Sequence, residues 1–284
     1  MTSGALRSRR FLSLLGTAVS ALVLTTFVSG LWSGLVVVNL QRNAIVPWSA
    51  AVMAVLLWVM WQYAGGRWWP SKTSHLRRAH LRANPVSRRV FTTAVAAGAS
   101  SLTALTGIWI VLFQTGLMRG NQLPAFSQYP TLTVVAVLVM ASLVGAFAEE
   151  AGFRGYLQVV LERECSAPVA IAFAALALVP GHGITQGFAG PTVLFYLLVD
   201  VMLGVTAYLS NSVWPGVAIH ASGLLIFFVL VWPFDPLRPL GENALTDWWF
   251  WLHAVQAAVF SWLSILTFRR LAHVVKNRNA KVAV

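Results

Sequence analysis

The chain has 284 residues, of which 58% are hydrophobic and 10% are charged. A soluble domain carries roughly 25% charged residues, so this composition excludes an ordinary soluble domain and indicates a protein that folds in lipid. A net charge of +12 would suggest nucleic acid as the partner of a soluble protein. Here the basic residues lie in short clusters between apolar runs, as in the loops of membrane proteins, so we expect a lipid bilayer and no nucleic acid as partner.

Apolar runs of membrane-spanning length recur along the chain, since about 20 apolar residues make one helical span. The sequence predicts an all-α, polytopic membrane protein with about eight transmembrane helices and a single domain over residues 1–284. The first run is too long for a secretory signal and is expected to remain as an anchor. Pro180 and Gly181 are expected to break the short fifth span near its end. The predicted spans are 11–39, 44–64, 90–117, 131–160, 167–182, 191–209, 213–232 and 247–268.

Clusters of basic residues set the expected orientation. One cluster lies at 67–89 and another at 269–281, and the N-terminus is also basic. With an even number of spans, all three fall on one side of the membrane, while the other side keeps only Arg42, Arg119 and Arg238. Basic loops stay in the cytoplasm, so we expect a multi-pass plasma-membrane protein with both termini cytoplasmic.

Two adjacent glutamates lie in the fourth predicted span, where an ionisable side chain is costly and is a functional candidate. Glu150 and Arg154 are four residues apart, so in an α-helix they share a face and are expected to form an ion pair. Glu149 points about 100° away, on a face where Gly145 and Gly152 allow another helix to approach. With no cation on that face, Glu149 is the candidate for a general base.

Two histidines and one aspartate lie in later spans. His182 follows the fifth apolar run and His220 lies in the seventh, and either is also typical of a helix–helix hydrogen bond. Asp200, in the sixth span, is interpreted as a structural partner of Arg154 or of a histidine. A carboxylate and two histidines on three spans suit water activation or metal ligation, so Glu149, His182 and His220 would be able to bind zinc.

These residues resemble the motifs of the CAAX-prenyl-protease and bacteriocin-processing family (CPBP, also called Abi). Its E-E-x-x-x-R motif is met by Glu149, Glu150 and Arg154, and its F-x-x-x-H motif by His182, with leucine at position 178. Its H-x-x-x-N motif is met by His220, but Leu224 replaces the asparagine. The similarity covers residues 131–232.

The resemblance implies an intramembrane endopeptidase that acts on a peptide or a membrane-protein substrate. Glu149 would activate water, His182 would help to hold it, and His220 would stabilise charge on the scissile carbonyl. Glu150 and Arg154 would support the site. We favour a glutamate mechanism without metal over a zinc site.

Leu224 leaves an alternative open, because it removes one donor to the carbonyl oxygen. The sequence therefore predicts a slow enzyme unless Ser222 or a backbone N–H substitutes, or else an inactive family member that serves as an immunity or scaffold protein. A proton-coupled transporter that uses Glu149, Asp200 and the histidines as relays is the third class. No internal repeat of the kind common in transporters was found in the sequence.

Overall fold

The structure is a computed structural model that describes residues 3–118 and 126–282. This part of the chain is helical and contains no strand. The α-helices are α1 (Ser3–Arg42), α2 (Trp48–Ala64), α3 (Ser74–His80), α4 (Arg88–Gln114), α5 (Thr131–Glu149), α6 (Gln158–Leu161), α7 (Ala167–Gln186), α8 (Gly190–Ser210), α9 (Trp214–Ile226) and α10 (Trp248–Val282). π-Helices span Glu150–Leu157 and Phe227–Val231, and 3₁₀-helices span Ser71–Thr73, Phe126–Gln128, Trp232–Leu237 and Gly241–Thr246.

Seven helical stretches in the described residues are long and apolar enough to cross a membrane. Helix α2, with 17 residues, is a shorter apolar helix at the position of the second predicted span. The predicted all-α, polytopic architecture is therefore confirmed. The chain is a multi-pass membrane protein. Arg119, which the charge analysis assigned to the side opposite the basic loops, lies outside the described residues.

The fifth span differs from its prediction. Helix α7 does not break at Pro180 and Gly181 but continues through Pro180 to Gln186. A proline removes only its own backbone hydrogen bond and often kinks a helix without ending it. The helix ends instead at Gly187, whose φ of 90° is in the left-handed region that glycine adopts at low cost. The extra turn places His182 inside the helix.

Helix α5 packs against α1, α2 and α9, while α7 packs against α8 and α4 against α10. One apolar core joins α4, α8 and α9 around Trp109, Leu203 and Ile219. A second joins α1, the π-helix and α7 around Phe153 and Leu157. The family-like segment is therefore enclosed by helices from both ends of the chain.

A short turn fixes the register of α8 and α9. Asn211 ends α8 with a φ of 49°, a left-handed conformation that asparagine tolerates better than most residues. Pro215 then lies in the first turn of α9, where its missing N–H costs nothing. This turn places Asp200 and His220 on neighbouring antiparallel helices.

The basic loop between α2 and α4 contacts the end of the bundle where α6 ends and α9 begins. Arg82 forms an ion pair with Glu162, just beyond α6. The Arg82 carbonyl accepts a 2.9 Å hydrogen bond from the Val213 N–H, at the start of α9. Ser212 donates to the Asn84 carbonyl at 2.7 Å. The loop therefore covers the end of the bundle that the charge pattern predicts to be cytoplasmic.

Candidate active site

The paired glutamates lie where the helix changes its winding. Glu149 is the last residue of α5, and a π-helix runs from Glu150 to Leu157. The α-helical spacing assumed for this segment is therefore wrong beyond Glu149, because a π-helix is wound more widely, with i→i+5 hydrogen bonds. Such segments are frequent at functional sites. Here it changes the direction of Arg154 relative to Glu150.

Arg154 lies between two buried carboxylates. Its Nη1 is 3.6 Å from Glu150 Oε1, a distance that allows an ion pair but is too long for a good hydrogen bond. Its Nη2 donates to the Asp200 carboxylate and, at 3.4 Å, to the Asp200 backbone carbonyl. The shorter contact of Arg154 is thus with α8 and not with the neighbouring turn of its own helix.

Asp200 links Arg154 to His182. The second carboxylate oxygen of Asp200 lies 3.5 Å from His182 Nε2. The imidazole also stacks on the ring of Tyr196, one turn earlier in α8, with centroids 4.2 Å apart and planes 13° from parallel. The described contacts therefore tie His182 to Asp200 and Tyr196. Arg154 in turn connects Asp200 to Glu150.

His220 lies between the two glutamates. Its Nδ1 is 3.0 Å from Glu150 Oε1 and its Nε2 is 3.7 Å from Glu149 Oε2. An ionised glutamate only accepts hydrogen bonds, so the contact with Glu150 puts a proton on Nδ1 and orients the ring. Glu149 thus has a histidine beside it, although its own helix face offers no cation.

The two glutamates differ in access. The Glu150 side chain is fully buried, whereas 18% of the Glu149 side chain is exposed. Gly216 makes room for Glu150, since a Cβ at this position would lie 2.6 Å from Glu150 Oε2. Glu150 is therefore a buried bracing group, and Glu149 is the more accessible of the two carboxylates.

Helix α1 packs on the glycine face that the sequence predicted. A Cβ on Gly152 would lie 2.7 Å from Thr25 Oγ1, and one on Gly145 would lie 3.3 Å from Trp32 Nε1. The close approach of α1 thus depends on these two glycines. It brings Trp32 against Gly145 on α5, one turn before Glu149, and Thr25 against Gly152 in the π-helix.

Leu224, the departure from the H-x-x-x-N motif, lies one turn after His220 on α9. Its Cδ1 would be 3.8 Å from a Cβ on Gly145, so it faces the same point as Trp32 Nε1. Ser222, considered as a substitute donor, is exposed and donates its hydroxyl to the Ala218 carbonyl at 2.8 Å. Its hydroxyl is thus engaged on its own helix.

The zinc alternative finds no support in the geometry. Within residues 3–118 and 126–282, no group of three or more His, Cys, Asp or Glu side chains is arranged to hold a metal ion. His182 contacts Asp200, which also pairs with Arg154. No catalytic step is therefore assigned to a metal.

Three residues of the site were not singled out from the sequence. Tyr196 and Gly216 carry no sequence signal beyond their apolar surroundings. Trp32 offered one signal, because it lies in the interior of the first span and not at an interface, where tryptophan is enriched in membrane proteins.

Comparison with known proteins bears on the segment that carries this site. Residues 131–226 match the family model described as Type II CAAX prenyl endopeptidase Rce1-like. No curated protein and no solved structure matches the chain. The match begins at the first residue of α5 and ends with α9, and it includes Glu149, Glu150, Arg154, His182 and His220. The resemblance to the CPBP family, the CAAX-protease type, is thereby confirmed over residues 131–226.

Proposed function

We propose that this chain is an intramembrane endopeptidase in which Glu149 activates a water molecule. The supporting observation is a connected array of ionisable groups inside the family-matched segment. It runs from Glu149 through His220, Glu150, Arg154 and Asp200 to His182. Charged groups inside a membrane are expensive and mark functional sites. Of the two glutamates, Glu149 is the one whose side chain is partly exposed.

The geometry suits a general-base mechanism. The 3.7 Å between Glu149 Oε2 and His220 Nε2 exceeds hydrogen-bond range, so Glu149 is free to hold the attacking water while His220 faces the peptide carbonyl. Glu149 removes one proton from this water as its oxygen forms a bond to the peptide carbonyl carbon. The carbonyl π electrons move to its oxygen, which becomes an oxyanion. The C–N bond then breaks, and the proton on Glu149 passes to the departing amine, leaving an acid and an amine.

The buried groups hold His220 in position for this reaction. With both ring nitrogens protonated, His220 donates from Nδ1 to Glu150 and presents Nε2–H to the oxyanion. Arg154 contacts Glu150 and is itself held by Asp200. His182 is assigned to the site through its contact with Asp200, which supports a positioning role between α7 and α8.

The test compares Glu149→Gln with the wild type in detergent or liposomes, with farnesylated and unmodified reporter peptides. Loss of the base should lower turnover at least about 100-fold, within the 10²–10⁴ range for general-base catalysis. The melting temperature should stay within a few degrees, since Glu149 is not part of the Arg154 ion pairs. Glu164→Gln, at an exposed position, is the matched control. Wild-type turnover in Glu149→Gln would refute the assignment.

The inactive-member alternative has one observation in its favour, the apolar Leu224 at the motif position for a polar donor. It predicts that the wild type cleaves neither class of peptide while the array remains folded. Detectable cleavage that depends on Glu149 excludes it.

A further inference from the structure

We propose that the indole N–H of Trp32, on α1, is the oxyanion donor that replaces the side chain missing at Leu224. The inference rests on the proposed peptidase function and adds a residue that lies outside the family-matched segment. It assigns a catalytic role to a helix that the motifs do not include.

Trp32 lies beside Gly145, at a point that Leu224 also borders. Its Nε1 and the Leu224 Cδ1 lie 3.3 and 3.8 Å from one point, the place of a Cβ on Gly145. Gly145 precedes Glu149 by one turn on α5, and Leu224 follows His220 by one turn on α9. The indole N–H and the Leu224 side chain therefore border the same small space, one turn from Glu149 on α5 and one turn from His220 on α9.

The indole N–H of Trp32 makes no hydrogen bond within the described residues. Its Nε1 is buried and has no acceptor anywhere in residues 3–118 and 126–282. A buried donor without an acceptor is rare, because its desolvation is not compensated, and in an apolar span the cost is greater. An N–H held in this state is preorganised for an acceptor that arrives with the substrate. The substrate carbonyl oxygen is such an acceptor, and it becomes the oxyanion during the reaction.

The groups around the indole N–H offer it no competing acceptor. Gly145 carries no side chain, so the point next to Nε1 is free of a methyl group. Leu224 borders the same point with carbon only and does not compete as an acceptor. The hydroxyl of Ser222, also on α9, donates its hydrogen bond to the Ala218 carbonyl. Trp32 is thus the donor that the described contacts place at this point.

In the reaction the indole N–H donates a hydrogen bond and transfers no atom. This hydrogen bond strengthens as the carbonyl oxygen gains charge during attack by the water. It weakens when the carbonyl re-forms as the C–N bond breaks. Such a donor stabilises the transition state more than the bound substrate. Its loss should therefore lower kcat and leave KM little changed.

The experiment removes the N–H while keeping the ring. Trp32→Phe and the isosteric replacement of Trp32 by benzothienylalanine, which carries sulfur in place of N–H, are compared with the wild type. Trp262→Phe, at a position 61% exposed, is the control. We expect kcat to fall about 100-fold in both Trp32 variants, the effect of one oxyanion donor, with KM within about threefold. The benzothienyl variant decides the result if Trp32→Phe fails to fold.

Rescue by Leu224→Asn supplies a second readout. In the Trp32→Phe background the new amide should restore at least about tenfold in kcat, whereas in the wild type it should add little, because the donor is already present. A large gain in the wild type and none in the variant would overturn the proposal. Wild-type kcat in both Trp32 variants, with Glu149→Gln inactive, would also overturn it and leave the peptidase function standing. If Glu149→Gln turns over like the wild type, or no form cleaves, both proposals fail.

Discussion

Arg154 shows how much a single residue supports in this fold. It is 2% exposed and has Glu150 on one side and Asp200 on the other. Its one positive charge faces two buried carboxylates, and each carboxylate also faces a histidine. The integrity of the site therefore depends on this guanidinium more than on either acid.

Substitution of Arg154 should accordingly destabilise the protein more than substitution of Glu150. Arg154→Ala removes the guanidinium that both buried carboxylates contact, and loss of one partner of a buried pair costs about 3–5 kcal/mol. Glu150→Gln leaves Arg154 paired with Asp200, and the amide oxygen can still accept from His220. We expect both variants to melt lower than wild type in detergent, Arg154→Ala by the larger margin.

The control for this comparison is Arg163→Ala, which removes an exposed arginine two residues beyond α6. It should leave the melting temperature unchanged. Equal melting temperatures for Arg154→Ala and wild type would show that the buried array does not hold the helices together.

At the level of elements, α5 and α9 determine the distance between the base and its histidine. They pack antiparallel, with Gly216 beside Glu150 and Leu224 beside Gly145. The π-helix that follows Glu149 turns Arg154 toward α8. The site thus depends on close contact between helices, and small residues provide it.

Gly216→Ala tests this contact. The added methyl group would lie 2.6 Å from Glu150 Oε2, and Glu150 would have to give up its contacts with His220 or Arg154 to move away. Overpacking of this kind typically costs 1–3 kcal/mol. We expect a lower melting temperature and at least about a tenfold loss of turnover, because Glu150 can no longer orient His220.

The matched control is Gly30→Ala on α1, where a Cβ would meet nothing within 4 Å. This substitution should be neutral or slightly stabilising, since alanine favours a helix more than glycine does. Normal turnover and melting of Gly216→Ala would mean that α9 moves away from α5 without harm to the site.

At the level of the whole molecule, the distribution of charge predicts the orientation in the membrane. The loop around Lys72 is basic and is fastened to the end of the bundle that carries Glu162 and the α8–α9 turn. Leu237 lies in the helical segment that ends the span beginning at Trp214, toward the opposite face. The two positions should therefore be on different sides of the membrane.

Cysteine labelling tests this orientation directly. In a Cys165→Ser background, which removes the only native cysteine, Lys72→Cys and Leu237→Cys each provide one exposed thiol. A membrane-impermeant maleimide applied to intact cells should label Leu237→Cys only, and permeabilisation should add Lys72→Cys. The reverse pattern would contradict cytoplasmic termini.

Much of the fold was determined by the sequence alone. Long apolar runs predict spans because a helix satisfies its own backbone in lipid, and this reasoning needs no knowledge of packing. Acidic residues inside such runs are conspicuous for the same reason, so Glu149 and Glu150 were found without the structure. The order of the motifs around them indicated a resemblance to the family, and residues 131–226 match its family model.

The pairing of the polar groups was decided only by the tertiary structure. Arg154 meets Asp200 across 46 residues of chain, and His220 meets Glu150 across 70. Local spacing predicted the Glu150–Arg154 contact but could not show that the π-helix turns Arg154 toward α8. Trp32 meets Gly145 because α1 packs on a glycine face, and nothing near Trp32 in the sequence predicts that partner. Contacts between helices depend on register and rotation, which hydropathy does not encode, and those two quantities place Trp32, His220 and Asp200 around Glu149 and Glu150.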